Sequence, residues 1–436
     1  MFRFLPPLDP PDEVLVALGD SMRAPRLPGA PTPPTRDNPD LPAGYTYLGQ
    51  FVDHDITFDP GSHLGRQNDP DGLHSFRTPR FDLDSLYGSG PADSPFLYDQ
   101  EDPVKLLVGR NQAPIHLPED LPRNQQGRAL IGDPRNDVHV IIAQLHLAFI
   151  RFHNAAVDYL RSRFAPSDDL LAEASRLTRW HYQWVVVHDY ARRLVGSELL
   201  DQVLVANPAG GPSAELRFFR WKRQPFIPVE FSAAAYRFGH SQVRPSYQLN
   251  DTLESLPMLA EPQLPHPLQH LGGFRPLPKN WTVQWDRFLH IGGSSPQLSA
   301  TIDTTISDPL AHLPESVDGQ RRSLAVLNML RGKALGLPSG QAVAAAMGTT
   351  VPDDTLGLDR PTPLWFYLLR EAEVIAGGRR LGPTAGRIVA EVLVGLLAAD
   401  PSSFVRMAPA WRPELPAEDP DKFTLVDFLR FAGVAP

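Results

Sequence analysis

Between residues 137 and 164 apolar side chains fall at Val138, Ile141, Ile142, Leu145, Phe149, Phe152 and Val157, close to a 3.6-residue period. That spacing puts one apolar stripe along a helix and predicts an element of about seven turns. Residues 170–200 repeat the pattern and predict a second long helix. Shorter helices are predicted over 45–52, 231–243, 285–289, 322–331, 339–347, 363–375, 383–399 and 422–431. Several have Pro just inside the start or Gly just past the end. Strand-like alternation is scarce, and no repeat recurs at a period of 20–50 residues. The fold class is therefore mainly α, a single large helical domain with long loops and few strands.

Forty-seven prolines and 32 glycines punctuate these elements. The prolines crowding residues 6–42 predict an extended arm laid over the surface, with one short amphipathic turn around 12–18. We accordingly separate a Pro-rich arm, 1–44, from a domain at 45–436. Residues 59–133 hold no sustained period and predict an unusually long loop, which needs something such as a bound ion to hold it. Residues 246–280 read as a second Pro-rich loop.

Composition narrows the chemistry. Lys and Arg number 41 against 50 Asp and Glu, a net charge of −9, so the basic footprint of a nucleic-acid-binding surface is missing. Cysteine is absent, which excludes disulfides, zinc–thiolate sites, iron–sulfur clusters and a thiolate nucleophile. Residues 1–7 lack the apolar segment of a signal peptide, and no run approaches the roughly 18 apolar residues of a membrane span. The expectation is a soluble, cytoplasmic chain, with non-classical export left open and the oligomeric state undetermined.

Five clusters offer chemistry. In Gly49-Gln50-Phe51-Val52-Asp53-His54-Asp55 a histidine stands between two acids at a helix end; by itself such a triplet is usually a solvated turn. Thr78, Arg80, Asp82 and Asp84 present oxygens at alternate positions, which with Asp55 suit a hard cation taking 6–8 oxygen ligands. The plain alternative is a surface strand with alternating acids. Gly132-Asp133-Pro134-Arg135-Asn136-Asp137 opens the long helix, where an acid is a natural N-cap but Arg135 is unexplained. Tyr236-Arg237-Phe238-Gly239-His240 follows a run of small residues that indicates close packing or room for a flat cofactor. Leu327-Asn328-Met329-Leu330-Arg331-Gly332 reads as a helix end with a buried amide.

Taken together, these words and their order resemble the animal-type haem peroxidase family, the peroxidase–cyclooxygenase superfamily, and most closely its bacterial branch. Leu83 to Ser89, the degenerate Phe149…His153-Asn154, and the late stretches 364–373 and 381–391 extend the likeness, which covers residues 45 to 404. The resemblance implies a helical domain around a buried haem b. The enzyme would reduce hydrogen peroxide through an oxo-iron intermediate and oxidise a small donor, with halides among the candidates.

Carried over, it makes His240 the proximal iron ligand, with Asn328 at its other ring nitrogen and Arg237 and Arg331 at the haem propionates. On the distal side His54 takes and returns the peroxide proton, Arg135 stabilises charge on the outer oxygen, and Gln50 faces the pocket. Asp55, Thr78, the Arg80 carbonyl, Asp82 and Asp84 hold Ca2+. Relatives that attach haem by two esters use an acid matched by Asp53 and a Glu matched by Val138, so at most one link, through Asp53, is expected. The family's Met beside that Glu is His139 here. Two alternatives stand beside this reading. One is a fatty-acid dioxygenase of the cyclooxygenase type, whose tyrosine position is Arg237 here with Tyr236 one place off. The other is a haem-binding protein without turnover, which would need neither His54 nor Arg135.

Overall fold

The computed structural model describes residues 1–24, 36–57, 77–109, 120–163, 169–206, 211–260, 266–313, 323–419 and 422–436. Helices dominate these residues, with three two-stranded sheets between them. The elements that position the site are α1 (Asp12–Ser21), β1 (Asp37–Pro42), α2 (Ala43–Ile56), α3 (Val140–Arg163), α4 (Leu170–Trp184), β2 (Leu298–Ala300), α5 (Leu324–Ala334), α6 (Leu364–Ala376) and α7 (Pro383–Ala399).

α3 is the central helix. From Val140 to Ile150 every residue is buried, and α2, α4 and the C-terminal helix Leu425–Phe431 pack around it. By length and composition α3 is apolar enough to cross a membrane, contrary to the expectation that no segment is. With 83% of its apolar window inside the fold, it is the helix of a protein core.

The element expected over 170–200 is interrupted. α4 ends at Trp184, a seven-residue π-helix runs over Val185–Ala191, and Gly196, at φ +82°, separates Arg192–Val195 from Ser197–Val203. The widened π-turn turns Asp189 and Tyr190 onto α2. Asp189 accepts hydrogen bonds from the Tyr45 hydroxyl at 2.7 Å and from the Leu425 amide at 2.9 Å. The Tyr190 hydroxyl lies where a Cβ on Gly49 would come within 2.2 Å of it, so this close approach requires glycine.

The arm is more than a surface strap. α1 lies on α5, with Gly19 against the Val326 backbone, and Phe2, Leu15 and Met22 join the core. β1 then pairs antiparallel with β2. Proline density hid a ten-residue helix that begins directly after Pro11.

The segment expected as one helix over 231–243 is two short pieces, an α-turn at Val229–Ser232 and a 3-10 helix at Ala235–His240. Ala234, at φ −137° and ψ −72°, breaks the helical path between them. One 3-10 turn, Trp285–Arg287, stands where 285–289 was expected. Of the long loop, 58–76 and 110–119 lie outside the described residues. Its middle is pinned to α3 by the His153-Asn154 pair: Asn154 exchanges two hydrogen bonds with the Leu106 backbone (2.8 and 2.9 Å), and His153 Nε2 donates to the Val104 carbonyl at 2.9 Å.

Candidate active site

α2 ends on the residues of greatest chemical interest. Gln50 and His54 lie four apart on one helix face. His54 is 7% exposed, and its Nδ1 is 2.7 Å from Asn136 Oδ1. Asn136 Nδ2 is in turn 3.0 Å from His146 Nδ1 on α3. Burial, followed by the charge of Arg135, lowers the pKa of His54, so it is neutral near pH 7.

Asp133 organises the turn that delivers Arg135 and Asn136. As the cap of the 3-10 helix Pro134–Asp137 it accepts from the Arg135 amide at 2.9 Å, and it also receives Nε and Nη2 of the Arg135 guanidinium. Burial opposes its charge, but the Arg135 hydrogen bonds and charge hold its pKa at about 2. Arg135 Nη2 also reaches the backbone carbonyls of His54, at 2.8 Å, and Thr57. The guanidinium therefore caps the C-terminus of α2 beside His54, and its charge is felt by the imidazole. Gln50 Oε1 accepts from His139 Nε2 at 2.8 Å, so the pair forms one polar unit on this wall. The Asp53 carboxylate has no hydrogen-bond or ion-pair partner among the described residues.

The second wall is built by the 3-10 helix and α5. With three residues per turn, Arg237 and His240 fall on one face. Asn328, 2% exposed, brings its Nδ2 to 2.8 Å from His240 Nδ1, and its Oδ1 takes Arg237 Nη1 at 3.3 Å. Burial, then the charges of Arg237 and Arg331, lowers the pKa of His240 to about 3. Burial and the nearby Arg331 likewise bring Arg237 down to about 10. Two guanidiniums crowded beside a neutral imidazole fit a polyanionic partner such as a pair of carboxylates. A Cβ built on Gly239 would meet nothing within 4 Å, so space remains beside the histidine. The two walls adjoin: α2 packs on the 3-10 helix that carries His240, and Asp53 and Arg135 both act electrostatically on Arg237. One imidazole with two guanidiniums is a donor set that fits a group carrying a metal and two carboxylates.

A third cluster lies behind α2. Oxygens of Asp55, Asp82 and Asp84 converge to within 4.8 Å of one another. Asp55 is fully buried and neither of its oxygens has a hydrogen-bond partner among the described residues. Burial and the two neighbouring carboxylates drive its pKa well up, and burial takes Asp84 to about 6. Between the acids Leu83 sits buried at φ +58°, a strained conformation for a branched residue. Thr78 Oγ1 donates to Asp82 and so borders the cluster, while the Arg80 guanidinium is 3.9 Å from Asp400. Arg77 bridges Asp84 at 3.0 Å and Asp133 at 2.7 Å, joining the carboxylates to the platform of Arg135.

The residues singled out from sequence thus gather in three groups, with Arg135 engaged by Asp133 and α2 rather than standing alone. Sequence reasoning missed Asn136, His146 and Arg77, and read Asp133 only as part of a word. The late stretches prove to be structural. Glu371 accepts from Thr384 N and Oγ1 at 3.0 and 2.6 Å, at the start of α7, and Glu391 accepts from the amides of Phe218 and Phe219.

The chain is 26% identical to thyroid peroxidase of Sus scrofa over 376 residues, 76% of this chain and 38% of that protein. It is 22% identical to peroxidasin of Drosophila melanogaster, covering 56% of this chain and 16% of that one, so it spans well under half the length of either. Its fold matches peroxidase A of Dictyostelium discoideum with a TM-score of 0.66 at 15% identity, over 100% of this chain and 93% of that one. It also matches a fatty acid α-dioxygenase of Oryza sativa with a TM-score of 0.60 at 16% identity, over 91% and 74%. The model of the animal haem peroxidase family matches residues 66–362, and the chain belongs to that family.

Proposed function

We propose that this chain is a haem-dependent peroxidase that reduces hydrogen peroxide and oxidises small donors. The observation that carries the reading is the pairing of two walls, His54 with Arg135 and Gln50 on one side, His240 with Asn328 and Arg237 on the other. Haem, when bound, supplies the redox centre that accepts oxidation from peroxide and passes it to donors. His240 would hold its iron, and Arg237 with Arg331 would receive its carboxylates. His54, neutral near pH 7, accepts the proton of hydrogen peroxide and returns it to the departing oxygen. Arg135 keeps a positive charge beside His54, and the Gln50–His139 pair orders polar molecules at the same wall. Asp53 is the carboxylate available for one ester to the haem, since Val138 offers no oxygen. Asp55, Asp82 and Asp84, with Thr78 and the Arg80 carbonyl, bind Ca2+, which ties the end of α2 to the 78–84 segment.

The dioxygenase alternative needs a tyrosine on the face of His240. That face carries Arg237, and the Tyr236 hydroxyl is engaged by Tyr190 at 3.2 Å. The test is protein expressed with haem supply and mixed rapidly with peroxide. A Soret band lost in His240→Ala, and peroxide reactivity lost in a haem-loaded His54→Ala, are expected. Normal loading in the first variant or a wild-type rate in the second overturns the assignment.

A further inference from the structure

We propose that Asn136 is a positioning residue for His54, and that with His146 behind it the amide sets which ring nitrogen of His54 carries the proton. The inference rests on the reading of His54 as the group that takes the peroxide proton. Three side chains from three elements form the relay: His54 at the end of α2, Asn136 in the 3-10 turn, and His146 in α3. Asn136 is 0% and His146 1% exposed, so no water shell satisfies either. Asn136 Oδ1 can only accept, so at 2.7 Å His54 Nδ1 donates to it. Asn136 Nδ2 can only donate, so at 3.0 Å His146 Nδ1 accepts, and the proton of that ring sits on Nε2.

His54 Nε2 is thereby left with a lone pair. When it takes up a proton, its Nδ1–H still meets an acceptor, and no buried hydrogen bond breaks. The inverted amide would set an N–H against a protonated Nδ1, leaving two buried donors opposed, which costs about 1–3 kcal/mol or more. Backbone and packing fix where these side chains stand: the Asn136 backbone N–H donates to the Asp133 carbonyl at 3.1 Å, and the His146 ring packs against Phe51 with centroids 6.0 Å apart. Burial lowers the pKa of His146 to about 3, so it remains the neutral acceptor this arrangement needs.

The experiment uses the haem-loaded full chain in its diamagnetic ferrous–carbonyl form, with 15N-labelled histidine and the His54 signal assigned by its loss in His54→Ala. Wild-type protein should show His54 protonated at Nδ1. Asn136→Ala should shift it toward the Nε2–H form and slow reaction of the ferric protein with peroxide by about 10-fold, part of the roughly 10²–10⁴-fold that proton transfer contributes. The isosteric Asn136→Asp keeps an acceptor for His54 and should restore most of that rate. Wild-type His54 protonated at Nε2 overturns the proposal, and this measurement stands even if Asn136→Ala does not fold. So does a wild-type peroxide rate in Asn136→Ala. If His54→Ala also reacts at the wild-type rate, the peroxidase reading fails; if only Asn136→Ala does, the relay alone fails.

Discussion

Asn328 holds its side-chain nitrogen 2.8 Å from His240 Nδ1 across 88 positions of the chain, and with its oxygen takes Arg237 from the same 3-10 turn. One buried amide therefore couples His240 to the nearest guanidinium. An imidazole that binds a metal through Nε2 carries its proton on Nδ1 and needs an acceptor there. As placed, the Asn328 Nδ2 donates to His240 Nδ1, so metal binding through Nε2 would require this amide to be turned over, with its oxygen toward the imidazole.

Replacing Asn328 should consequently weaken haem binding more than it weakens the fold. Loss of such an outer partner costs about 10–100-fold in metal affinity, and Asn328→Ala should fall in that range in a titration of apoprotein with haem. Asn328→Asp should bind haem but at a lower reduction potential, because a carboxylate gives the imidazole more anionic character. Unchanged affinity in Asn328→Ala would remove the amide from the account.

The carboxylate cluster makes an opposite pair of predictions for one substitution. In calcium-loaded protein Asp55→Asn should lower the melting temperature, since it deletes a ligand of an ion that stabilises the folded state by mass action. After prolonged chelation the same substitution should raise it, because it removes a buried carboxyl whose ionisation the fold opposes through burial and the facing Asp82 and Asp84. Scanning calorimetry of both proteins, with and without chelator, reads the two signs. A loss of equal size in both states would mean that Asp55 is structural and binds no ion.

Acid should unfold this protein early. Burial holds His139, His146 and His181 at pKa values of about 3, and His153 and His188 at about 4. In the unfolded chain each titrates near 6.5, so between these values the unfolded state binds more protons and stability falls with falling pH. Each group contributes up to about 1.4 kcal/mol per pH unit. Asp133, at about 2, adds its own loss only below the ordinary range for Asp. Buried Asp84, at about 6, and Glu371, at about 7, act with the opposite sign in this window. The five histidines outnumber them, so melting temperatures should drop from pH 7 to 5, and a rising profile would contradict the buried neutral histidines.

Under the proposed reading, Asp53 is the residue on which a covalent link to the cofactor would depend. Its carboxylate has no partner among the described residues, whereas Val138 cannot form an ester. Acid–organic extraction should release all haem before peroxide treatment or leave a fraction held by one bond afterwards, and Asp53→Ala should make all of it extractable. Two protein–haem links by mass spectrometry would show that the alignment placing Val138 opposite the second ester, and Arg135 with it, is wrong.

Local order was legible in the chain itself. α7 spans the predicted 383–399, and α3 and α6 fall within a few residues of their expected bounds, because a 3.6-residue apolar period and the end signals act over one or two turns. His54, His240, Asn328, Asp82 and Asp84 were singled out for a different reason, since each stands in a short local word that can be read without the fold. What periodicity could not carry was decided by contacts between distant segments. The π-helix at Val185–Ala191 has the side-chain pattern of an α-helix, and only packing against Gly49 and Tyr45 distinguishes it. The helix in the arm needed α5 to bury its apolar face. Asn136 read as part of a helix start, which left Arg135 unexplained, and only the fold brings Asp133, His146 and the end of α2 around them. A hydrogen bond depends on where two atoms lie in space, and for residues 82 positions apart that is a property of the whole fold.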